Sequence, residues 1–285
     1  PPQQPHLPDL INRLECSTKP WIAAIHGNAL GGGLEVALGC HYRIADSAAN
    51  LGFPEVNLGL IPGAGGTVRL PRIVDSVNAI SLVAGGKPIK AQLAVEWGLV
   101  DRLAESDLRR EAIAFAQQIA NLPLPEAASI RPPRNTLKPE DWETVLLPVR
   151  KKARGQIAPV RAAEAVRTAV EKPADQAFAA ERAQFTALKN SDQSSALRYI
   201  FFAEKSTSKL SASLTADAMA IELVGVIGGG TMGAGIATTL LLSGYRVTML
   251  ECNETALEKG RGSVLSYLQN SLERGLIDSS KHRRL

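Results

Sequence analysis

Three consecutive glycines stand directly before a glutamate in the stretch GNALGGGLEVALGC, residues 27–40. Glycine inside a helix or strand costs about 1 kcal/mol relative to alanine, so three in a row need a reason. At the start of a helix, glycines expose backbone N–H groups that have no intrahelical partner and lie at the positive end of the helix dipole. Such groups suit a negative charge that develops on an oxygen atom during a reaction.

Two glutamates accompany these glycines. Glu35 lies in the first turn after the glycine block, and Glu55 follows in the stretch GFPEVNLG. Two carboxyl groups in apolar surroundings do not readily ionise together, because burial and the like charge both disfavour the second charge. The pair could therefore work as an acid and a base beside the N–H donors. The alternative interpretation is that Glu35 is only a first-turn acid that stabilises a helix end.

A second glycine group has the G-x-G-x-x-G spacing, with Gly228, Gly230 and Gly233 inside the segment 221–251. The order of apolar run, glycine turn, helix, apolar run and acid is typical of a dinucleotide-binding unit, in which the glycines allow the turn, the approach of the pyrophosphate and helix–strand packing. Glu251 lies where a carboxylate can accept hydrogen bonds from the adenine ribose, which favours NAD over NADP. The alternative is a glycine turn without a function.

The elements around these residues alternate between strands and helices. WIAAIH, residues 21–26, and YRIADS each predict a buried strand, and SDLRREAIAFAQQIANL predicts a helix with Ser106 as its N-cap. Such alternation indicates a mainly parallel sheet with helices outside it. Helical stretches, among them DQAFAAERAQFTALKN, continue to about residue 210, and the small polar segment 206–217 is the best linker candidate.

Composition excludes several classes of protein. With 285 residues, 45% of them hydrophobic and 21% charged, the chain is globular, and it has no run of about 18 apolar residues that would predict a membrane span. The three cysteines lack the spacing of metal ligands, so we expect no metal site and reduced thiols. The net charge of +4 is modest and the basic run 149–155 lacks interleaved aromatics, so we expect no nucleic-acid partner.

Residues 22–72 resemble the signature core of the crotonase, or enoyl-CoA hydratase, family, in which a G-G-G-x-E block precedes a P-E block and a P-G-x-G-G-T loop. The stretch GVIGGGTMGAGIA is similar to the start of 3-hydroxyacyl-CoA dehydrogenase, and the order of the two resembles the multifunctional β-oxidation enzymes. The resemblance implies an α/β chain with part of a crotonase-like ββα domain over 1–125, a helical extension and linker over 126–217, and the start of a Rossmann dinucleotide-binding domain over 218–285.

The resemblance also implies roles for particular residues. The Gly32 N–H would stabilise the enolate of an acyl-CoA thioester, Glu35 would activate the water that attacks C3, and Glu55 would deliver a proton to C2, with both carboxyl groups holding the water. Retention of both glutamates favours hydration over double-bond isomerisation. In the second segment, Gly228, Gly230, Gly233 and Glu251 would contact NAD.

By comparison with those families, the sequence is expected to be truncated at both ends. His6, His26, His41 and His282 do not match the dehydrogenase motif, so we expect them to be structural or exposed and expect no dehydrogenase turnover. Exposed sheet edges would favour an oligomer or a partner chain.

Two other functions stay open at this stage. One is a non-catalytic binding or scaffold protein that retains the CoA- and NAD-site residues, and the other is a standalone NAD-binding module. The expected compartment is a bacterial-type cytoplasm, with the peroxisome as the alternative.

Overall fold

The computed structural model describes residues 6–207 and 220–284. The chain divides into two compact units, Pro1–Lys209 and Leu210–Leu285. Most of the predicted linker, 206–217, lies outside the described residues, and Ser206 and Thr207 end the last helix of the first unit. The domain limits expected after residues 125 and 217 stay predictions.

The first unit begins with short, alternating strands and helices and ends with four longer helices. Its first half contains α1 (Leu7–Glu15), β1 (Ile22–Ile25), β2 (Asn28–Leu30), α2 (Gly32–Leu38), β3 (Tyr42–Asp46), β4 (Asn50–Gly52), α3 (Gly66–Arg69), α4 (Ser76–Gly85), β5 (Ile89–Lys90), α5 (Ala91–Glu96), β6 (Arg102–Ala104) and α6 (Leu108–Ile119). Its second half contains α7 (Trp142–Ala153), α8 (Ala158–Glu171), α9 (Ala174–Lys189) and α10 (Asp192–Thr207). Short 3₁₀ helices span Pro54–Leu58, Leu70–Arg72 and Pro139–Asp141.

Two small sheets position the glycine block. β1, β3 and β6 form one parallel sheet with β3 in the centre, and β2, β4 and β5 form the other with β4 in the centre. The expected mainly parallel arrangement holds for every pair in the described part of this unit except β4–β5, which is antiparallel. Gly86, with φ 64°, ends α4 and turns the chain back along β4.

The local predictions in this unit have mixed outcomes. The strand predicted in WIAAIH is confirmed as β1, but the predicted N-cap Ser106 is wrong. α6 begins at Leu108, and the Asp107 carboxylate accepts a hydrogen bond from the Arg110 N–H at 2.6 Å. The Ser106 N–H and hydroxyl instead donate to Oε1 of Glu111, because that carboxylate reaches back from the first helical turn.

Three of the long helices, α7, α8 and α9, share one hydrophobic core with the strands. This cluster runs from Ile25 through Trp142 and Ala162 to Leu188. Burial of apolar surface stabilises by about 25 cal/mol per Å², and Trp142 is 1% exposed, so it is among the larger contributors. The alanines of α8 let this helix pack closely against α4. The helical extension is therefore a part of the folded core.

The second unit has the predicted order of strand, glycine turn, helix and strand. It contains β7 (Leu223–Ile227), α11 (Thr231–Leu242), β8 (Arg246–Leu250), α12 (Glu254–Glu273) and α13 (Ser279–Arg284). β7 and β8 are parallel, with Leu223 opposite Arg246. Ala234 and Ala237 of α11 are buried against Val226 and Val264. None of the helices in residues 6–207 and 220–284 has the length and apolar character needed to cross a bilayer.

Candidate active site

Within the glycine block, Gly31 is the position at which the backbone conformation requires glycine. It has φ 54°, and its N–H donates to the carbonyl oxygen of Gly52 at 2.9 Å, which ties the start of α2 to β4. A Cβ added to Gly31 would lie 2.8 Å from Oε1 of Glu55. A side chain here would be strained in φ and would displace the Glu55 carboxyl group. Gly31 therefore brings the backbone close to the second glutamate.

Gly32 and Gly33 differ from Gly31 and from each other. A Cβ on Gly32 would lie 3.0 Å from Cδ2 of Leu7, whereas a Cβ on Gly33 would meet no atom within 4 Å. Gly32 is the first residue of α2, so its N–H has no intrahelical acceptor, and none of the hydrogen bonds in the described chain starts from it. This N–H is available to a ligand, and Gly33 faces open space.

Glu35 is buried and held by a neighbouring loop. Its Oε1 accepts hydrogen bonds from the N–H groups of Ala64 at 2.7 Å and Gly66 at 2.9 Å. Burial raises the pKa of Glu35, and the two N–H groups and the Arg69 guanidinium oppose that rise. Hydrogen bonds donated to a carboxylate favour its ionised form. Glu35 is therefore equipped to accept a proton.

Glu55 has a different environment. It lies in the 3₁₀ helix Pro54–Leu58, and its Oε2 is buried without a hydrogen-bond partner in the described chain. Burial raises its pKa to about 8, and the charges of Glu35 and Glu181 contribute to the rise. Glu55 is therefore protonated at neutral pH and equipped to donate a proton.

Glu181 belongs to the same cluster, although no sequence motif pointed to it. This residue of α9 is 2% exposed. Its Oε1 accepts from the Gly65 N–H at 2.7 Å, and its Oε2 accepts from the N–H and hydroxyl of Thr67 at 2.8 and 2.5 Å. Burial and the charge of Glu35 raise the pKa of Glu181 to about 7, against the effect of these donors.

The loop Pro62–Thr67 is clamped between two carboxyl groups. Alternate N–H groups point to opposite sides: those of residues 64 and 66 donate to Glu35, and those of residues 65 and 67 donate to Glu181. Phe178 and Phe185 of α9 lie so close that a Cβ on Gly65 or Gly63 would approach them to 2.7 and 2.5 Å. The glycines of the P-G-x-G-G-T pattern therefore permit this close packing.

A sequence signal for Glu181 does exist. It shares the buried face of α9 with Ala177 and Leu188, which are separated from it by multiples of a helical turn. An acidic residue on an otherwise apolar helix face is rarely buried without a partner. The partners lie more than a hundred residues away along the chain, so the sequence did not identify them.

Arg69 stabilises the loop from the other side. This buried guanidinium pairs with Oε2 of Glu15 at 2.9 Å and donates to the carbonyl oxygen of Ala64 at 3.1 Å. It also lies 4.9 Å from the centre of the Phe178 ring. Its positive charge lowers the pKa of Glu35. Arg69 therefore favours the ionised form of the residue expected to act as the base.

The second glycine group forms the turn that its spacing predicts. Gly228 has φ 91°, and a Cβ on Gly233 would lie 1.7 Å from the Gly228 carbonyl oxygen, so the helix can pack on the turn only with glycine there. A Cβ on Gly230 would meet no atom within 4 Å. Oε1 of Glu251 accepts from the Gly229 N–H at 2.5 Å. The four residues lie together, and the open space at Gly230 fits the approach of a dinucleotide pyrophosphate.

One histidine of the first unit is buried, and its role is structural. His41 is 8% exposed and its Nδ1 accepts a hydrogen bond from the Trp21 N–H at 3.0 Å, which is a structural role. Within residues 6–207 and 220–284, no group of three or more histidine, cysteine or acidic side chains could hold a metal ion.

Comparison with known proteins gives the class of each unit. Residues 3–131 match the family Enoyl-CoA hydratase/isomerase. Residues 223–285 match the family 3-hydroxyacyl-CoA dehydrogenase, NAD binding domain. The chain therefore contains a segment that belongs to the Enoyl-CoA hydratase/isomerase family and, after a helical extension, a segment that belongs to the 3-hydroxyacyl-CoA dehydrogenase NAD-binding family. This confirms the predicted fold class.

Individual relatives extend over nearly the whole chain. The peroxisomal bifunctional enzyme of Cavia porcellus is 38% identical over 281 residues, which cover 96% of this chain and 39% of that protein. The glyoxysomal fatty acid beta-oxidation multifunctional protein MFP-a of Brassica napus is 36% identical, with coverage of 96% and 39%. A crystal structure of enoyl-CoA hydratase subunit I from Geobacillus kaustophilus is 31% identical, with a TM-score of 0.39 and coverage of 69% and 65%.

The chain spans 39% of the length of these two curated relatives. Their names place them in peroxisomes and glyoxysomes and give no support to the expected bacterial-type cytoplasm. The peroxisome, named above as the alternative, agrees with the first of them.

Proposed function

We propose that the first unit hydrates 2-trans-enoyl-CoA thioesters to 3-hydroxyacyl-CoA, as part of fatty-acid β-oxidation. The observation that carries the proposal is the contrast between two glutamates at one glycine block. Burial raises the pKa of both carboxyl groups, but Glu35 accepts two N–H hydrogen bonds that oppose the rise and favour its ionised form, whereas Glu55 has an unpartnered buried oxygen and a pKa of about 8. Two carboxyl groups whose environments separate their protonation states are suited to act as a base and an acid.

The chemistry follows from these positions. Glu35 takes a proton from water as the water oxygen bonds to C3, and the electron pair of the double bond moves towards the thioester carbonyl. The negative charge that develops on the thioester oxygen is stabilised by the Gly32 N–H, which has no other acceptor. Glu55 then delivers its proton to C2. Both carboxyl groups hold the water, so both help to orient it towards C3.

Glu181 has a positioning role in this proposal. It holds the N–H groups of Gly65 and Thr67, and the same loop supplies the two N–H donors that hold Glu35. Its charge also contributes to the raised pKa of Glu55. The helical extension thereby supports the acid and the base from outside the glycine block.

Hydration of crotonyl-CoA by the full chain tests the proposal, followed as the loss of the enoyl-thioester absorbance. Removal of a general acid or base lowers rates by about 100-fold to 10,000-fold, and we expect losses in this range for Glu35→Gln and for Glu55→Gln. Glu96→Gln is the matched control, because Glu96 is exposed on α5. It should leave the rate unchanged.

Two results would contradict the proposal. Full activity in either active-site variant would remove that glutamate from the mechanism. A folded wild-type chain without any hydration would instead support the alternative of a non-catalytic binding protein.

We further propose that the second unit contacts NAD through the turn at Gly228–Gly233. The open space at Gly230 and the N-terminus of α11 support this, since unpaired N–H groups there suit a pyrophosphate. NAD supplies hydride-transfer chemistry when bound, and Glu251 would accept hydrogen bonds from its ribose. Calorimetric titration of the chain should detect NAD more readily than NADP. Equal affinities would contradict the role of Glu251.

For the compartment, the names of the relatives favour a peroxisome over a cytoplasm. Antibodies against this chain should label the peroxisomal matrix of the source cells in immunogold microscopy. Uniform cytoplasmic label would contradict this.

A further inference from the structure

A second polar cavity lies in the first unit, separate from the glutamate cluster. We call it the arginine cavity, and it has a volume of about 430 Å³. Its charged lining consists of Arg43, Arg72, Asp101, Arg131 and Arg134. Small-molecule sites commonly have volumes of about 300–1,000 Å³, so the cavity is large enough for a small organic anion.

The charges around the arginine cavity are not balanced. Four guanidinium groups face one carboxylate, and the only ion pair among them is Arg43 with Asp101, at 3.7 Å. Within the described parts of the chain, no carboxylate lies within 4 Å of the guanidinium nitrogens of Arg72, Arg131 or Arg134. Arginine keeps its charge in proteins, so these three guanidinium groups line the cavity without an ion pair, although the charge of Glu15 acts on Arg72.

Arg72 is the member whose position most requires a partner. It is 6% exposed, its Nη1 donates to the carbonyl oxygen of Val68 at 2.5 Å, and its Nε is buried without an acceptor in the described chain. An unpartnered donor on a buried charged group is costly. Because this Nε is enclosed by protein, it would not itself contact a ligand, and Arg72 contributes its positive charge to the cavity.

Backbone carbonyl groups fix the other two arginines in place. Nη1 of Arg134 donates to the carbonyl oxygen of Ile73 at 3.0 Å, and Nε of Arg131 donates to that of Glu126 at 2.6 Å. Each guanidinium retains further donors. A guanidinium that is already oriented loses less freedom when it binds a ligand. The cavity is therefore a pre-organised set of donors.

The position of the cavity separates it from the proposed hydratase site. Arg43 lies at the N-terminal end of β3, and Asp101 directly precedes β6, whereas the glycine block follows the C-terminal end of β2 in the other sheet. The cavity and the glycine block are therefore associated with different sheets of the first unit. No residue that lines the cavity belongs to the glutamate cluster.

We propose that the arginine cavity binds a small phosphate-bearing anion, such as a phosphomonoester or a pyrophosphate. Three guanidinium groups without an ion pair match an anion with several negative charges, and the guanidinium fork matches the oxygens of a phosphate group. A carboxylate would neutralise only one of the three. The same phosphate chemistry could come from a free phosphate ester or from the phosphates of an acyl-CoA, and the experiment separates these sources.

Isothermal titration of the full chain with sodium pyrophosphate, inorganic phosphate and acetate tests this proposal. We expect saturable binding of one pyrophosphate per chain, weaker binding of phosphate and no saturable heat with acetate. Arg131→Gln and Arg134→Gln should each weaken pyrophosphate binding by about tenfold or more, since each removes a charge-assisted donor. Arg109→Gln is the matched control, because Arg109 is exposed on α6 and has the same charge.

Several results would overturn the proposal: no saturable pyrophosphate binding, or equal weakening by Arg109→Gln. Pyrophosphate binding that crotonyl-CoA displaces would assign the phosphates to the acyl-CoA site and would overturn a separate cavity. Arg134→Lys, which keeps the charge, guards against a loss of folding and should bind more tightly than Arg134→Gln. The titration measures the heat of binding and does not depend on turnover. An absence of pyrophosphate binding can therefore be distinguished from an absence of hydratase activity.

Discussion

The two glycine clusters of this chain look alike in sequence, but the physical reason why glycine is needed differs between them. At Gly31 the backbone has positive φ and approaches a side chain, the carboxyl group of Glu55. At Gly233 the backbone approaches other backbone, the carbonyl oxygen of Gly228. A carboxyl side chain can move aside, whereas a carbonyl in a tight turn cannot. The first cluster is therefore specialised for a chemical site, and the second for the packing of a turn on a helix.

Gly233→Ala should have the largest effect on stability. Its Cβ would overlap a backbone oxygen at 1.7 Å, so we expect the second unit to lose more than about 3 kcal/mol of unfolding free energy. All three tryptophans, Trp21, Trp97 and Trp142, lie in the first unit. Urea unfolding of the variant, followed by circular dichroism, should therefore lack the transition of the second unit. The unfolding curve followed by tryptophan fluorescence, which reports on the first unit, should stay the same as in the wild-type chain.

Gly235→Ala is the control for that substitution, because a Cβ on Gly235 would meet no atom within 4 Å. It should stabilise α11 by about 1 kcal/mol or less. Equal effects of the two substitutions would contradict the packing explanation.

Gly31→Ala should differ from Gly233→Ala in that it causes a large loss of hydratase activity and only a modest loss of stability. Strained backbone at positive φ costs about 1–3 kcal/mol, while displacement of Glu55 should lower crotonyl-CoA hydration by about 100-fold. Gly33→Ala is its control, since a Cβ there would meet nothing within 4 Å. Parallel losses of rate in both variants would mean that the approach to Glu55 is not what matters.

The stability of the first unit should depend on pH. Folding raises the pKa of Glu55 from 4.5 to about 8, so the folded chain keeps a proton that the unfolded chain releases between these values. The free energy of unfolding should therefore fall as the pH rises from about 4.5 to about 8, by about 1.4 kcal/mol per pH unit for one proton. Glu181, with a pKa of about 7, adds to the slope below that pH.

Tryptophan fluorescence during urea unfolding at several pH values measures this slope. Glu55→Gln should make it shallower, whereas Glu96→Gln should leave it unchanged. A slope that Glu55→Gln does not alter would show that Glu55 is not the group that takes up the proton.

Glu181→Gln should have the smallest of these effects, on the pH dependence of hydration. Removal of its charge lowers the pKa of Glu55, so the alkaline limb of the kcat/KM profile should move to lower pH. Because the loop that holds Glu35 also loosens, we expect a fall of about tenfold in rate at pH 7. An unshifted profile with a lower rate would mean that Glu181 only supports the fold.

The sequence by itself indicated the class of both units through its resemblance to two families, because the motifs that carry the resemblance are local. The glycines, Glu35, Glu55 and the strand–turn–helix order each depend on near neighbours along the chain, where periodicity and spacing can be read directly. The N-cap predicted for α6, Ser106, was wrong because Asp107 next to it is also a residue type that caps helices, and in the fold Glu111 engages Ser106 instead.

Only the tertiary structure decided which distant groups complete these sites. Glu181 meets Gly65 across 116 positions, and the arginine cavity combines residues from β3, a 3₁₀ helix and a later loop. It also decided that Gly31 needs glycine and that Gly33 does not. Such contacts arise when folding closes long loops around a common core, and local sequence patterns carry no record of which side chains then meet.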